Sequence, residues 1–445
     1  MSASLEKLLR DARTDLVISR VEKDPEVINK IINHLDNEIR SIRFNAIYVL
    51  GELGKKSKES VSKLMMCLED DDWSICREAA RSLGKIGDVS DEAIPTLAQM
   101  LFNEEPLIRK EAAIALGKIG SSTYDSVSNL NKALKDDNVE VRIEAAKALG
   151  DIGPDAHGAI PHLTNALKDV NWVVRKAAAE AISQIGKGST KAIPDLIDTL
   201  QDEDWRVRFR AISTLADIGK ETIPKLLKVA NHENHIVRKG VAETLGEVKI
   251  PDPKVISQLA EMLHDKEEAV RGKAVDALRS IGREAIPTLL NEIDEMDTEM
   301  QCLIISAIGG IGKDAKEAIP KVNELLNHKK KKVRVEAART LGKIGKDSDA
   351  AIKALEKALE DSKNIVRRES CLALGNLQGS ASNAIPSLID ALDDKDPDVR
   401  WRASEALGKI GITKPEITQS LEGLIHDQCD YVCESAINAL DRLSE

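Results

Sequence analysis

Residues 159–186 read A-I-P-H-L-T-N-A-L-K-D-V-N-W-V-V-R-K-A-A-A-E-A-I-S-Q-I-G, and this stretch contains one whole structural unit. Pro161 stands where the first turn of a helix tolerates a missing N–H, and Leu163 and Leu167 follow as an i, i+4 apolar stripe. Asp169 and Asn171 then bring turn and cap chemistry. Beyond them Val174, Ala178, Ala181, Ile182 and Ile185 recur at helical spacing, and Gly186 ends the run. The segment therefore predicts two helices joined by a tight turn. Such a pair keeps an apolar face that only another pair covers.

Outward from this unit the pattern repeats along the chain. Its leucine-like anchor recurs at Leu50, Leu83, Leu116, Leu149, Ile182, Leu215, Leu245, Leu278, Ile308, Leu341, Leu374, Leu407 and Leu440, at intervals of 33 residues except for two of 30. Both short steps fall in the loops between units, where Gly219 to Pro224 and Gly282 to Pro287 are tighter than Gly186 to Pro194. Nine units carry Gly directly after the anchor, as at Gly117 and Gly150, and most carry Ala just before it, so the second helices are expected to approach one another closely. The fold expected is all-α, a right-handed α-α superhelical solenoid of about thirteen helix pairs. Residues 1–22 are read as an N-terminal capping helix and residues 23–445 as one continuous solenoid. In the last unit Asp441 replaces the glycine, which reads as a second cap.

Composition agrees. Of 445 residues only ten are aromatic, so the core is built from small and aliphatic side chains. No stretch approaches the roughly 20 apolar residues of a membrane span, and the opening M-S-A-S-L-E-K-L-L-R lacks the layout of a secretory signal. Six cysteines without a CxxC pair fit free thiols in a reducing compartment, and we expect a cytoplasmic, monomeric protein that holds no cofactor. The net charge of −11 disfavours indiscriminate binding to nucleic acid or anionic membranes.

The consensus A-I-P-x-L…D-x-D-x-x-V-R-x-x-A-A-x-A-L-G-x-I-G resembles the HEAT-like repeat family of phycobilisome lyases, and is similar to the microbial repeats behind designed HEAT-like binding scaffolds. The resemblance runs from about residue 23 to the end. It implies the fold; the same repeat serves lyases, hydroxylases, glycosylases and plain scaffolds, so it does not fix the activity. Deoxyhypusine hydroxylases resemble the chain in architecture and bind a di-iron centre through His-Glu pairs. Here Glu78, Glu111, Glu144, Glu336 and Glu369 follow Arg77, Lys110, Ile143, Val335 and Arg368, with no histidine, so that metal site is not expected. A lyase acting on a partner-bound cofactor has no short signature to test and stays open. P-loop, GxSxG, HExxH and dinucleotide fingerprints are absent from the sequence.

An arginine recurs seven positions before the anchor, at Arg43, Arg109, Arg142, Arg175, Arg208, Arg238, Arg271, Arg334, Arg367 and Arg400; Cys76, Gln301 and Cys433 break the series. Six positions earlier stands a frequent acid: Asp70, Asp136, Asp169, Asp202, Asp265, Asp361 and Asp394. A residue that nearly every unit carries answers a need of every unit. By resemblance to the family's Asp/Arg ladder we read these arginines as bracing between turns and not as a phosphate stripe.

Function is sought instead where units differ. Three residues before and one after the ladder arginine share a face of the second helix. Six of the ten aromatics, including all four tryptophans, occupy these positions. By resemblance to the designed scaffolds this face is the concave one and contacts the partner. The candidate protein-binding residues are Phe44, Trp73, Arg77, Lys110, Ile143, Trp172, Lys176, Trp205 and Phe209, a mixture of aromatics and cations typical of binding hot spots. The competing reading, that each indole merely covers the next turn, stays equally open.

Nucleic acid is the competitor from another class. Lys329, Lys330, Lys331 and Lys332, with Arg339 nearby, replace the usual acidic turn, although neighbouring acids such as Glu336 and Glu360 dilute the field. Two loose metal-type groupings, His232/His235/His264 and His426/Cys429/Cys433, are read as ordinary turn residues.

Overall fold

A computed structural model describes residues 4–120, 124–186 and 188–444. Met1, Ser2, Ala3 and Glu445, at the two ends of the expected cap and solenoid, lie outside the described residues. Among those described, every regular element is helical. The chain divides into two compact units, residues 1–229 and 230–445.

In the first unit, short first helices such as Ile94–Met100, Ile160–Ala166 and Ile193–Asp198 alternate with longer second helices: Arg40–Leu53, Trp73–Ile86, Pro106–Ile119, Val139–Ile152, Trp172–Ile185 and Trp205–Ile218. Each second helix lies against the next. Helices of six or seven residues are too short to persist alone in water, so tertiary packing supplies their stability. The anchors do this: Leu50, Leu83, Leu149, Ile182 and Leu215 are wholly buried.

The D-x-D/N turn explains where the second helices begin. Asp169 accepts the Asn171 N–H at 2.8 Å, and Asn171 in turn accepts the Val173 N–H at 2.9 Å, capping the helix that starts at Trp172. Asp202 and Asp204 repeat the arrangement before Trp205. In the second unit the second helices are His235–Val248, Glu268–Ile281, Thr298–Ile311, Lys331–Ile344, Asn364–Asn376, Pro397–Ile410 and Asp430–Ser444. His232 and His328 replace the first turn aspartate there, and their Nδ1 atoms accept the N–H of Asn234 and Lys330 at 3.0 and 3.2 Å.

The glycine after the anchor is explained by close approach. A methyl on Gly117 would lie 2.7 Å from the Ala148 Cα, and one on Gly342 would lie 2.8 Å from the Ala373 Cα. One expectation changes. The segment expected as one capping helix contains two helices, Leu5–Arg10 and Thr14–Lys23, because Ala12 adopts a left-handed φ of 53° between them. Leu8, Leu9, Val17 and Val21 still point into the core.

Candidate functional site

The arginine series braces neighbouring turns. Arg175 Nε and Nη2 donate to the two oxygens of Asp202 at 2.6 and 2.8 Å, and its Nη1 donates to the carbonyls of Asp169 and Val170 at 2.9 and 3.3 Å. Arg109, Arg142, Arg238, Arg334, Arg367 and Arg400 grip Asp136, Asp169, Asp265, Asp361, Asp394 and Asp427 in the same way. Arg43 reaches Asp70 more loosely, at 3.4 Å. Asp427, absent from the acids picked out by sequence, stands in the same register before Cys433 and signals itself by that position alone.

Broken rungs are informative. Where Cys76 and Gln301 replace arginine, the place of the next carboxylate, 27 residues on in intact rungs, is taken by Asn103 and His328, so both ends of the pair are lost together. Arg208 keeps its bonds to the turn carbonyls of Asp202 and Glu203 behind it, and Arg271, which precedes a 30-residue step, keeps those to Asp265 and Lys266 but forms no ion pair with a carboxylate among the described residues.

On the neighbouring face of the first unit's second helices, the candidate residues separate into covered and open ones. Trp172 is covered: the Arg206 guanidinium stacks 3.5 Å from its ring centroid, held in place by Asp204 through bonds of 2.9 and 2.6 Å. Phe44 and Ile143 are half-buried, and Lys110 is tied to Glu140. Trp73 is 48% exposed with Arg77 beside its ring at 5.2 Å, while Trp205 and Phe209 are 64% and 54% exposed. Arg77 and Lys176 are half-buried, and neither forms an ion pair with a carboxylate among the described residues. Sequence reasoning missed Arg206, whose only signal is an arginine one residue after a ridge tryptophan in the unit following Trp172.

Beneath this face lies a buried polar cluster. Arg81 joins Glu78, at 3.1 Å, to Glu111 of the next second helix. Burial pushes the Glu78 carboxyl above its ordinary range despite Arg81, Lys85 and Arg77 nearby.

The lysine run is less available than its sequence suggests. Lys329, Lys330, Lys331 and Lys332 are all exposed, but Lys332 pairs with Glu299 at 2.9 Å, and Arg339 is committed to Glu369 at 3.0 Å and to Glu336 at 3.5 Å. Among the described residues no three His, Cys, Asp or Glu side chains form a metal-type group, and no helix is long and apolar enough to cross a membrane. His264 pairs with Glu292, and the Cys433 thiol donates to the Asp427 carbonyl. Burial pushes the Cys371 thiol up to about 12 and that of Cys67 up to about 11, so neither is a ready thiolate.

The family described as HEAT repeats matches residues 16–84, 75–124, 104–183, 160–222, 223–291, 286–375 and 352–441. The chain belongs to the HEAT-repeat family. No curated protein sequence matches it. Among solved structures, this HEAT-repeat protein is similar to Kap121p bound to Nup53p, at 14% identity over 99% of this chain and 57% of that chain, with a TM-score of 0.64. It is also similar to Kap95p with RanGDP, at 16% identity over 96% and 64% of the two chains and a TM-score of 0.50. An engineered protein is 23% identical over 94% of this chain and 99% of its own, with a TM-score of 0.33. The HEAT-repeat chain thus spans less than two thirds of the length of both Kap proteins, and what it shares with them is the fold.

Proposed function

We propose that this HEAT-repeat protein is a non-catalytic scaffold that holds a protein partner on the face made by the second helices between residues 40 and 218. The observation that carries the reading is the exposure of Trp205, Phe209 and Trp73, at 64%, 54% and 48%, on the one face that varies from unit to unit. A monomeric surface seldom offers several large aromatics together, and covering each yields about 2–3 kcal/mol. Arg77, Lys110 and Lys176 supply orientation around these anchors, Phe44 and Ile143 widen the apolar contact, and Trp172 with its stacked Arg206 forms a rigid wall between them. The Kap121p structure that it resembles contains Nup53p, a protein ligand on a solenoid of the same fold. We place the repeat with the phycobilisome-lyase type on its A-L-G-x-I-G motif, treat residues 23–445 as one functional solenoid, and assign it to the cytoplasm on its six unpaired cysteines.

Affinity capture from native lysate tests this. Wild-type chain and a Trp73→Ala/Trp205→Ala/Phe209→Ala variant are compared with and without nuclease and at raised salt. A protein captured by the wild type and lost by the variant is expected. Capture of the same nuclease-sensitive, salt-labile material by both would replace this reading with nucleic-acid binding at Lys329, Lys330 and Lys331.

A further inference from the structure

Within the second unit one second helix is held off its neighbour. Gly246, directly after its anchor, lets its helix close on the next: an added methyl would lie 2.7 Å from the Ala277 Cα. In the same register of the following pair, Arg279 stands where the glycine would be and meets Gly310, whose added methyl would lie 2.8 Å from the Arg279 Cδ. A long side chain thus fills the space that glycine leaves for backbone approach. Helices Glu268–Ile281 and Thr298–Ile311 accordingly touch less than any other consecutive second helices of this unit. Arg271, on the first of them, forms no ion pair among the described residues.

A cleft of about 350 Å³ opens there, on the face that varies from repeat to repeat. Gly272 occupies the ridge position beside it, and nothing lies within 4 Å of an added methyl. Val275 and Ala307 line the cleft together with Leu303, which is 44% exposed. Lys239 reaches it from the preceding second helix. The register that gives Lys110 its Glu140 and Arg368 its Asp398, 30 residues on, gives Lys239 only Ala269. Its ammonium is half-buried and forms no ion pair among the described residues. Lys273 and Arg279, also at the cleft, are answered by Glu243 and Asp276, each at 3.1 Å. One cation is therefore in excess beside an apolar surface, and the group that complements both is a carboxylate carried next to an apolar side chain.

We propose that this cleft takes a Leu, Ile, Met or Phe side chain from a protein segment whose neighbouring Asp or Glu pairs with Lys239. The apolar side chain supplies the buried area and the carboxylate sets the register of the segment. No residue of the first-unit face takes part, so either site can fail without the other.

Gly272→Leu blocks the cleft from within, and it should melt no lower than wild type, because its Cβ meets nothing and leucine is the better helix former. Leu303→Glu, at an exposed position, is the second block should that variant melt lower. Randomised peptides displayed on phage are selected on the full chain and counter-selected on Gly272→Leu. Peptides in which Asp or Glu adjoins Leu, Ile, Met or Phe are expected. A synthetic copy should bind about 10-fold or more weakly to Gly272→Leu and about 5-fold more weakly to Lys239→Gln. It should bind Trp73→Ala/Trp205→Ala/Phe209→Ala as it binds the wild type. Failure of either blocking variant to weaken any selected peptide would overturn the cleft as a docking site. Wild-type binding to Lys239→Gln would overturn the carboxylate. If sodium laurate, and no peptide, distinguishes the wild type from Gly272→Leu, the occupant is a small amphiphile and the protein segment is overturned.

Discussion

A guanidinium clamped between two carbonyls and a carboxylate is the smallest unit on which this molecule relies. Arg238 and Asp265 illustrate it, with side chains 8% and 10% exposed and Nε to Oδ2 at 2.6 Å. The bond from Arg238 holds the Asp265 carboxyl below its usual range. Unfolded, that carboxyl titrates near pH 3.9, so the stability it contributes is complete above about pH 4 and disappears as pH falls through the lower folded value. Asp265→Asn should therefore cost about 2–3 kcal/mol in urea unfolding at pH 7 and much less at pH 3. Glu78 has the opposite sign. Its raised carboxyl favours the folded state only while protonated, and stability is lost as pH rises from the unfolded value near 4.3 through the folded one. Glu78→Gln should then raise the melting temperature at pH 7, with the gain fading below about pH 4; a lower melting temperature at pH 7 would show that the bond to Arg81 outweighs desolvation. The arginine series was legible because a residue repeated in every unit reports a shared need. The empty rung at Arg271 was not, because a carboxylate, Glu295, does stand six residues before Gln301 in the following turn, and sequence does not show that the shortened 30-residue step leaves it unpaired with Arg271. The cover that Arg206 lays over Trp172 was equally hidden, since stacking across two units leaves no periodic trace.

Among elements, the second helices are fixed by what their glycines face. Gly342 is pressed against the Ala373 backbone, so Gly342→Ala should destabilise the fold by about 1–3 kcal/mol even though alanine is the better helix former. Gly272 sits inside the helix Glu268–Ile281 with nothing within 4 Å of an added methyl. Gly272→Ala should stabilise by about 0.5–1 kcal/mol. Circular dichroism melts of the two variants check both directions at once; equal effects would show that helix propensity and not inter-helix approach governs these positions. Helix boundaries were readable from Pro at the first turn, the D-x-D/N turn and the closing Gly. The break at Ala12 was not, because L-E-K-L-L-R-D-A-R-T-D-L-V-I keeps a helical apolar spacing on both sides of a residue that carries no turn signal of its own.

At the level of the whole molecule, a HEAT-repeat chain with a net charge of −11 carries exposed aromatics on the second helices of its first unit, beside Arg77 and Lys176, which form no ion pair among the described residues, while its lysine run in the second unit is partly neutralised by Glu299. Fold and ridge were both legible from the 33-residue period, because the positions that vary stand out against those that repeat. Which ridge residues are open was not legible, since exposure depends on what the adjacent unit lays over them. Cross-linking tests the central claim most directly. A photo-reactive amino acid is placed at position 209, or at position 331 for comparison, and the full chain is irradiated in its native lysate. Protein binding on the second-helix face predicts a discrete, nuclease-resistant protein adduct from position 209 and none from position 331. An adduct from position 331 alone, removed by nuclease, would contradict it.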